Sequence, residues 1–145
     1  MNSITDAAAD FDVMGDKYCQ FLAEDYAKWK PQTTGADRPS VVRHGCLVVD
    51  SYLNQTILFG PKPGTASRKY LPIVQTTHNH RDGEPDTIST SAHSFIVLKD
   101  DTTYGFRRGD ILKAATWKAP ATNYSRGTIF DPTTYADRIR WTGAL

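Results

Sequence analysis

The feature that most constrains the fold is a change of pattern near Pro31. Before it, apolar residues recur at three- and four-residue steps, which is the spacing of one face of a helix. After it, short apolar runs alternate with turn residues, as in antiparallel sheets. The pattern predicts an α+β protein in which one N-terminal amphipathic helix packs on a bent antiparallel sheet or a small β-barrel. The helical stripe consists of Tyr18, Phe21, Leu22, Tyr26 and Trp29.

We expect a single domain, because 145 residues match the usual length of one domain. It divides into a helical segment, 1–32, and a β-rich body, 40–145. The helix is expected to begin at Asp12 or Asp16, since acids complement a helix start, and to end two residues before Pro31, which cannot donate an amide hydrogen bond. Strands are expected at 41–50, 56–59, 70–77, 94–99, 103–106, 111–117 and 128–130.

The composition is that of a soluble protein in a reducing compartment. Hydrophobic residues make up 39% and charged residues 23% of the chain, which are ordinary values for a globular protein. The two cysteines, Cys19 and Cys46, do not form a disulfide framework, and no apolar leader precedes them. The longest apolar runs are far shorter than the roughly 20 residues that cross a bilayer. We therefore expect a cytoplasmic protein with no membrane partner.

The last third of the chain carries the strongest functional signal. Residues 99–145 hold eight basic and five acidic side chains, whereas residues 1–37 hold three basic and seven acidic ones. Lys and Arg attract phosphates, and exposed aromatic rings stack bases, each contributing about 1–3 kcal/mol. The segment predicts a non-enzymatic protein that binds an anionic ligand, either a nucleic acid or a small nucleotide. The expected ligand-binding residues are Arg107, Arg108, Lys113, Trp117, Lys118, Asn123, Tyr124 and Arg126.

Two observations complicate a single binding surface. Strand alternation places Lys113 on the opposite face from Leu112 and Ala114, so Lys113 need not share a surface with Trp117 or Lys118. The alternative interpretation is that Trp117 is a core residue and that the cations form a solvated rim.

No nucleophile, base and orienting group stand at a recognisable spacing, so we predict no catalytic residue.

A second hypothesis concerns His78 and His80. Histidines at i and i+2 on a strand end point the same way, and an acid from Asp82, Glu84 or Asp86 could complete a zinc site with an open position for water. The pair resembles the His-x-His element of JAB-type metal-dependent peptidases, although the Ser-x-x-Asp of that family does not follow. The alternative function is therefore a metal-dependent hydrolase that uses zinc.

A third hypothesis is a protein-binding inhibitor of a host factor. The helix carries acidic residues, among them Asp16, Glu24 and Asp25, which form a charged face for a partner protein.

Cys19 and His93 are similar in placement to the catalytic pair of NlpC-type cysteine peptidases. A cysteine at a helix N-terminus has a lowered thiol pKa, which is what such a nucleophile requires. The Asp-Cys-Ser sequence of that family is absent, and the apolar neighbours of Cys19 favour packing.

The chain also resembles small uncharacterised proteins of tailed bacteriophages. The matching segments are 18–29, 93–97, 109–115, 117–121, Asn123, 126–127 and 141–143, about half of the chain. The resemblance implies an accessory phage protein acting in the cytoplasm of the infected host cell, with no known activity. It also implies that residues 60–90 are a loop insertion.

Exposed strand edges make a homo-oligomer possible.

Overall fold

The structure is a computed structural model that describes residues 4–62 and 69–144, with side chains from residue 10 onward. One helix, α1 (Ile4–Thr34), packs on an antiparallel six-stranded sheet whose strands follow each other in chain order, and a two-stranded sheet closes one end. This arrangement confirms the α+β prediction. The large sheet contains β1 (Val41–His44), β2 (Leu47–Asp50), β3 (Gln55–Pro61), β4 (Tyr70–Asn79), β5 (Thr87–Val97) and β6 (Ile111–Lys113), and the small sheet contains β7 (Ile139–Arg140) and β8 (Gly143–Ala144).

The sheet is open, so the barrel alternative is wrong: β1 and β6 lie at its two ends and do not pair with each other. The helix is longer than predicted at both ends, since it begins at Ile4 and continues past Pro31 to Thr34. Pro31 has no amide hydrogen to donate to the carbonyl of Ala27, so the last turn lacks that one helical hydrogen bond. The helix ends before Gly35, whose φ of 74° is the left-handed conformation that terminates helices. No helix in the described part of the chain has an apolar stretch long enough to cross a bilayer.

Several predicted strands differ from the observed ones. The predicted strand 41–50 is two strands joined by a tight turn at Gly45, which has a φ of 62°. The described residues of 60–90 are mostly sheet, because β4 and β5 are the longest strands, with 10 and 11 residues. The prediction that these residues form a loop is therefore wrong, and the prediction that they are an insertion stays a prediction. The predicted strands 103–106 and 128–130 contribute isolated bridges only, and β7 and β8 are too short to leave a periodic pattern.

The core lies between α1 and one face of the sheet. Tyr18, Leu22 and Tyr26 are fully or almost fully buried there against Ile57 and Phe59 of β3. Each of these large side chains contributes about 1.5–3 kcal/mol by leaving water. Trp29 departs from the predicted stripe, since 40% of its surface is exposed. A second, smaller cluster covers part of the opposite face and contains Phe95, Val97, Phe106 and Leu112.

A buried hydrogen-bond chain links α1, β5 and β7 through His93. The register between β4 and β5 shifts after Ile73, which pairs with Ser94, so that His93 is the extra residue of a β-bulge. His93 Nε2 lies 2.7 Å from the carbonyl oxygen of Arg140, which can only accept, so Nε2 carries the proton. His93 Nδ1 then accepts from Ser94 Oγ at 2.9 Å, and Ser94 Oγ accepts from the Tyr18 hydroxyl at 2.7 Å.

Burial favours the neutral form of this histidine. It lowers the pKa of His93 from its ordinary value, and burial also raises the pKa of Tyr18, which keeps its hydroxyl protonated. Protonation of His93 would place a charge in a site that is almost closed to solvent.

We expect the protein to lose stability below about pH 6.5, the pKa of an unfolded histidine. In that range the unfolded state binds a proton that folded His93 resists, so the free energy of unfolding falls as pH falls, by at most about 1.4 kcal/mol per pH unit. Urea denaturation across a pH series measures this. His93→Gln should be less stable and should show a flatter profile, whereas His44→Ala, at an exposed turn, should keep the wild-type profile. Identical profiles for His93→Gln and wild type would contradict the assignment.

Candidate functional site

Arg126 is buried and is held in a clamp by Asn123 and Tyr124, two other predicted ligand-binding residues that are both exposed. Arg126 is only 3% exposed. One of its terminal nitrogens donates to Asn123 Oδ1 at 2.9 Å and to the carbonyl oxygen of Tyr124 at 2.8 Å. Its guanidinium carbon lies 3.9 Å from the centre of the Tyr124 ring, and its backbone amide donates to the carbonyl of Ile111. The clamp fixes the segment that returns alongside β6 and leaves Arg126 no open surface for a ligand.

Arg108 packs against two aromatic rings. Its guanidinium carbon lies 4.7 Å from the ring centre of Phe11 and 5.6 Å from that of Phe130, so it packs between α1 and the C-terminal segment. The preceding residue, Arg107, is exposed. Both lie at a turn that requires Gly109, because its φ is 93° and a Cβ there would stand 2.4 Å from the Phe130 ring.

Lys113 and Trp117 lie on opposite faces of the sheet. Lys113 pairs with Ser94, whose hydroxyl reaches Tyr18 of α1, so Lys113 is on the helix side. Trp117 is on the side turned away from α1, which we call the outer face, where it stands beside Val74 of β4. The five cations of the predicted segment therefore do not form one surface.

The hairpin that follows β6 holds Trp117 away from the core. The amides of Ala115 and Thr116 donate to the carbonyl of Ala119 at 3.0 and 3.1 Å. The Thr116 hydroxyl accepts from the amides of Lys118 and Ala119 at 3.2 and 3.1 Å, which closes the turn. Trp117 is 65% exposed, so the interpretation of Trp117 as a core residue is wrong.

Two ammonium groups flank the exposed indole. Nζ of Lys118 lies 4.6 Å from the ring centre of Trp117, and Nζ of Lys62, which follows β3, lies 5.4 Å from it. Lys62 is far from the predicted basic segment in the sequence, so sequence reasoning did not find it. The tertiary structure thus brings together one aromatic platform and two cations from separate parts of the chain.

The indole forms one wall of a groove of about 470 Å³ on the outer face. Its floor is a patch of β4 and β5, in which Val74 is buried, Thr76 and Ala92 are half-buried and Thr90 is exposed. We call this site the Trp117 groove; it is lined by Lys62, Val74, Thr76, Thr90, Ala92 and Trp117. A groove of this size with an aromatic wall, hydroxyls and two ammonium groups suits a flat heterocycle that carries negative charge. Neither β4 nor β5 alternates apolar and polar residues at this patch, so the sequence carried no periodic signal for the floor.

The histidine pair forms no metal centre. His80 Nδ1 lies 3.0 Å from Asp86 Oδ2, and His80 Nε2 lies 3.3 Å from Thr56 Oγ1, so both ring nitrogens are engaged. The rings of His78 and His80 are 6.4 Å apart. Within residues 4–62 and 69–144, no group of three or more His, Cys, Asp or Glu side chains could hold a metal ion. The zinc-hydrolase alternative therefore has no site in that part of the chain.

Packing accounts for Cys19 of the cysteine hypothesis and for Asp25 of the acidic-face hypothesis, whereas Asp16 and Glu24 are exposed on α1. A hydrogen bond with Cys46, together with burial, raises the pKa of Cys19, which is the reverse of what a nucleophilic thiol requires. Asp16 accepts from the Cys46 thiol at 3.3 Å. Asp25 is buried and accepts from the backbone amide of Trp141 at 2.9 Å, so it fastens the C-terminal segment to α1. Glu24 alone of the proposed acidic face is exposed without such a role in the described contacts.

Fold and groove together define a class: an open antiparallel sheet, backed by one helix, that presents an aromatic platform on its free face. Beyond that class the comparisons add no name, since no family model, no curated protein and no solved structure matches the chain. The resemblance to phage proteins stays a prediction.

We expect Arg126→Ala to destabilise the protein by about 1–3 kcal/mol, because the change removes a buried side chain together with its charged hydrogen bonds to Asn123 Oδ1 and to the carbonyl oxygen of Tyr124. Arg107→Ala, at an exposed position, should stay within about 0.5 kcal/mol of wild type. Urea denaturation of the two variants measures the difference. Equal stability of both variants would show that the clamp contributes nothing.

Proposed function

We propose that this protein binds single-stranded nucleic acid or a free nucleotide at the Trp117 groove, without catalysis. Trp117 stacks a base, and Lys62 and Lys118 hold phosphates. The observation that supports the proposal most is the exposed indole, 65% accessible, with ammonium groups 4.6 and 5.4 Å from its centre. We further propose, from the phage resemblance, that it acts as an accessory protein in the cytoplasm of an infected cell.

The energetics favour a stacked ligand. An exposed cation–π contact contributes only about 0.5–1 kcal/mol, whereas base stacking on an aromatic side chain contributes about 1–3 kcal/mol. An incoming base can therefore displace one ammonium group from the Trp117 ring. The displaced ammonium group stays close to the ring, within reach of a phosphate of the same ligand, so its charge also contributes to binding.

The ligand should be single-stranded. In a duplex the faces of the bases are stacked on each other, so a single protruding indole has no base to contact. The hydroxyls of Thr76 and Thr90 on the groove floor add hydrogen-bonding groups for the edge of a base or for a sugar. A groove of about 470 Å³ falls within the usual range of small-ligand sites, about 300–1,000 Å³.

We expect Trp117→Ala to weaken binding of an oligothymidylate about 5- to 150-fold, the equivalent of one lost stacking contact. Fluorescence anisotropy of a labelled oligonucleotide gives the affinity, and quenching of tryptophan emission on binding should disappear in the variant. Trp29→Ala is the matched control, because Trp29 is also partly exposed but lies on α1. Equal affinity of Trp117→Ala and wild type would refute the proposal.

We expect Lys118→Ala and Lys62→Ala each to weaken binding of the same oligonucleotide and to reduce the slope of log affinity against log salt by about one. The cause is the loss of one phosphate contact in each variant. Arg107→Ala removes the same charge from an exposed position outside the groove, so its salt slope should match wild type. If all three variants behave alike, the binding depends on net charge and not on the groove.

A further inference from the structure

The long strand β5 has a free edge along its first half. β6 pairs only with Ser94–Ile96 of β5. Within the described ranges, Thr87–Ser91 is therefore paired on one side only, with β4, and all five of its residues are exposed. A row of unpaired backbone amides and carbonyls of this kind is a template for another strand.

The edge lacks the features that usually protect such strands. Natural edges are guarded by lysine, proline or inward charges, but Thr87–Ser91 contains no charged residue and no proline. The opposite edge of the sheet, β1, carries Arg43 within the strand. Threonine and isoleucine at the free edge instead favour strand pairing. The edge at β1 therefore carries a charge that opposes strand pairing, whereas the edge at Thr87–Ser91 carries none.

We propose that two copies of the chain pair through this edge, antiparallel, about a twofold axis at Ser89. Ser89 then lies opposite Ser89 of the second copy, Thr87 opposite Ser91, and Ile88 opposite Thr90. The register with β4 places Ile88 and Thr90 on the outer face and Ser89 on the helix side, so opposite residues share a face. We call the two paired Thr87–Ser91 segments the seam. No like charges face each other along the seam, and the β-branched pair of Ile88 and Thr90 packs across it.

Charge at the ends of the seam supports a second copy as the occupant. The turn between β4 and β5 carries three acids, Asp82, Glu84 and Asp86, against one base, Arg81. In the antiparallel register, the residues before Thr87 of one copy run toward the Ser94 end of β5 in the other, where Lys113 lies beside Ser94. The acidic turn of each copy therefore approaches Lys113 of the other copy. The twofold axis makes this contact twice.

The pairing also extends the Trp117 groove, although it does not rest on ligand binding. Ile88 is 63% exposed on the outer face. In the dimer, Ile88 of the second copy lies opposite Thr90, which lines the groove, so it adds apolar floor next to Trp117. Two grooves then share one continuous outer face, and the two α1 helices lie together on the other.

Sedimentation velocity over a series of protein concentrations, with native mass spectrometry, tests the pairing. The wild type should be a dimer that dissociates on dilution. Ser89→Lys and Ser89→Glu should each be monomeric, because residue 89 meets its own copy on the axis and like charges repel. An equimolar mixture of the two variants should restore a heterodimer, since opposite charges then face each other. Thr103→Lys, in an exposed turn, is the control that keeps the dimer.

Three results would overturn the proposal. A wild type that stays monomeric throughout the series excludes self-pairing, and an undiminished Ser89→Lys dimer places the interface elsewhere. A failure of the mixture to form heterodimers while Thr103→Lys dimerises excludes this register. Circular dichroism melting of each variant confirms that the fold is kept. Trp117→Ala should dimerise like wild type, so failure of nucleotide binding and failure of pairing are separate results.

Discussion

The buried hydrogen-bond chain at His93 is the constraint on which the other parts of the structure depend. It reaches Tyr18 in α1 through Ser94 and reaches the C-terminal segment through the carbonyl of Arg140. Helix, sheet and C-terminal segment can therefore dock only in one arrangement that satisfies every polar group. In a site with almost no exposed surface, a single unpaired donor would cost about 1–3 kcal/mol, which is a large part of the stability of a small domain.

The bulge at His93 also decides how the two faces of the sheet are used. On the α1 side, Ile73 and Ser94 complete the core. On the outer face, Val74 and Ala92 become the floor of the Trp117 groove. Because the register of β4 and β5 shifts at this point, Ser94 faces α1 while Ala92, two residues earlier, lies on the outer face. The proposed ligand site is a consequence of the same backbone irregularity that fixes the core.

The distribution of cations illustrates how little a basic run says about a surface. Arg108, Lys118 and Arg126 lie within 19 residues of each other in the printed sequence, yet they have different roles. Arg126 closes a clamp, Arg108 packs between two phenylalanine rings, and Lys118 flanks an exposed indole. Lys62, more than 50 residues earlier in the chain, is the cation that shares the indole with Lys118. Charge density along the sequence did not distinguish structural cations from exposed ones.

The sequence by itself determined the helix, most of the strands and hence the α+β class, because periodicity is a local property that a chain shows before it folds. It also showed that Lys113 and Trp117 need not share a face. Only the tertiary structure decided that the sheet stays open, that Trp117 faces solvent, and that His80 is held by Asp86 and Thr56. These outcomes depend on strand register and on contacts between distant segments, which no local pattern encodes.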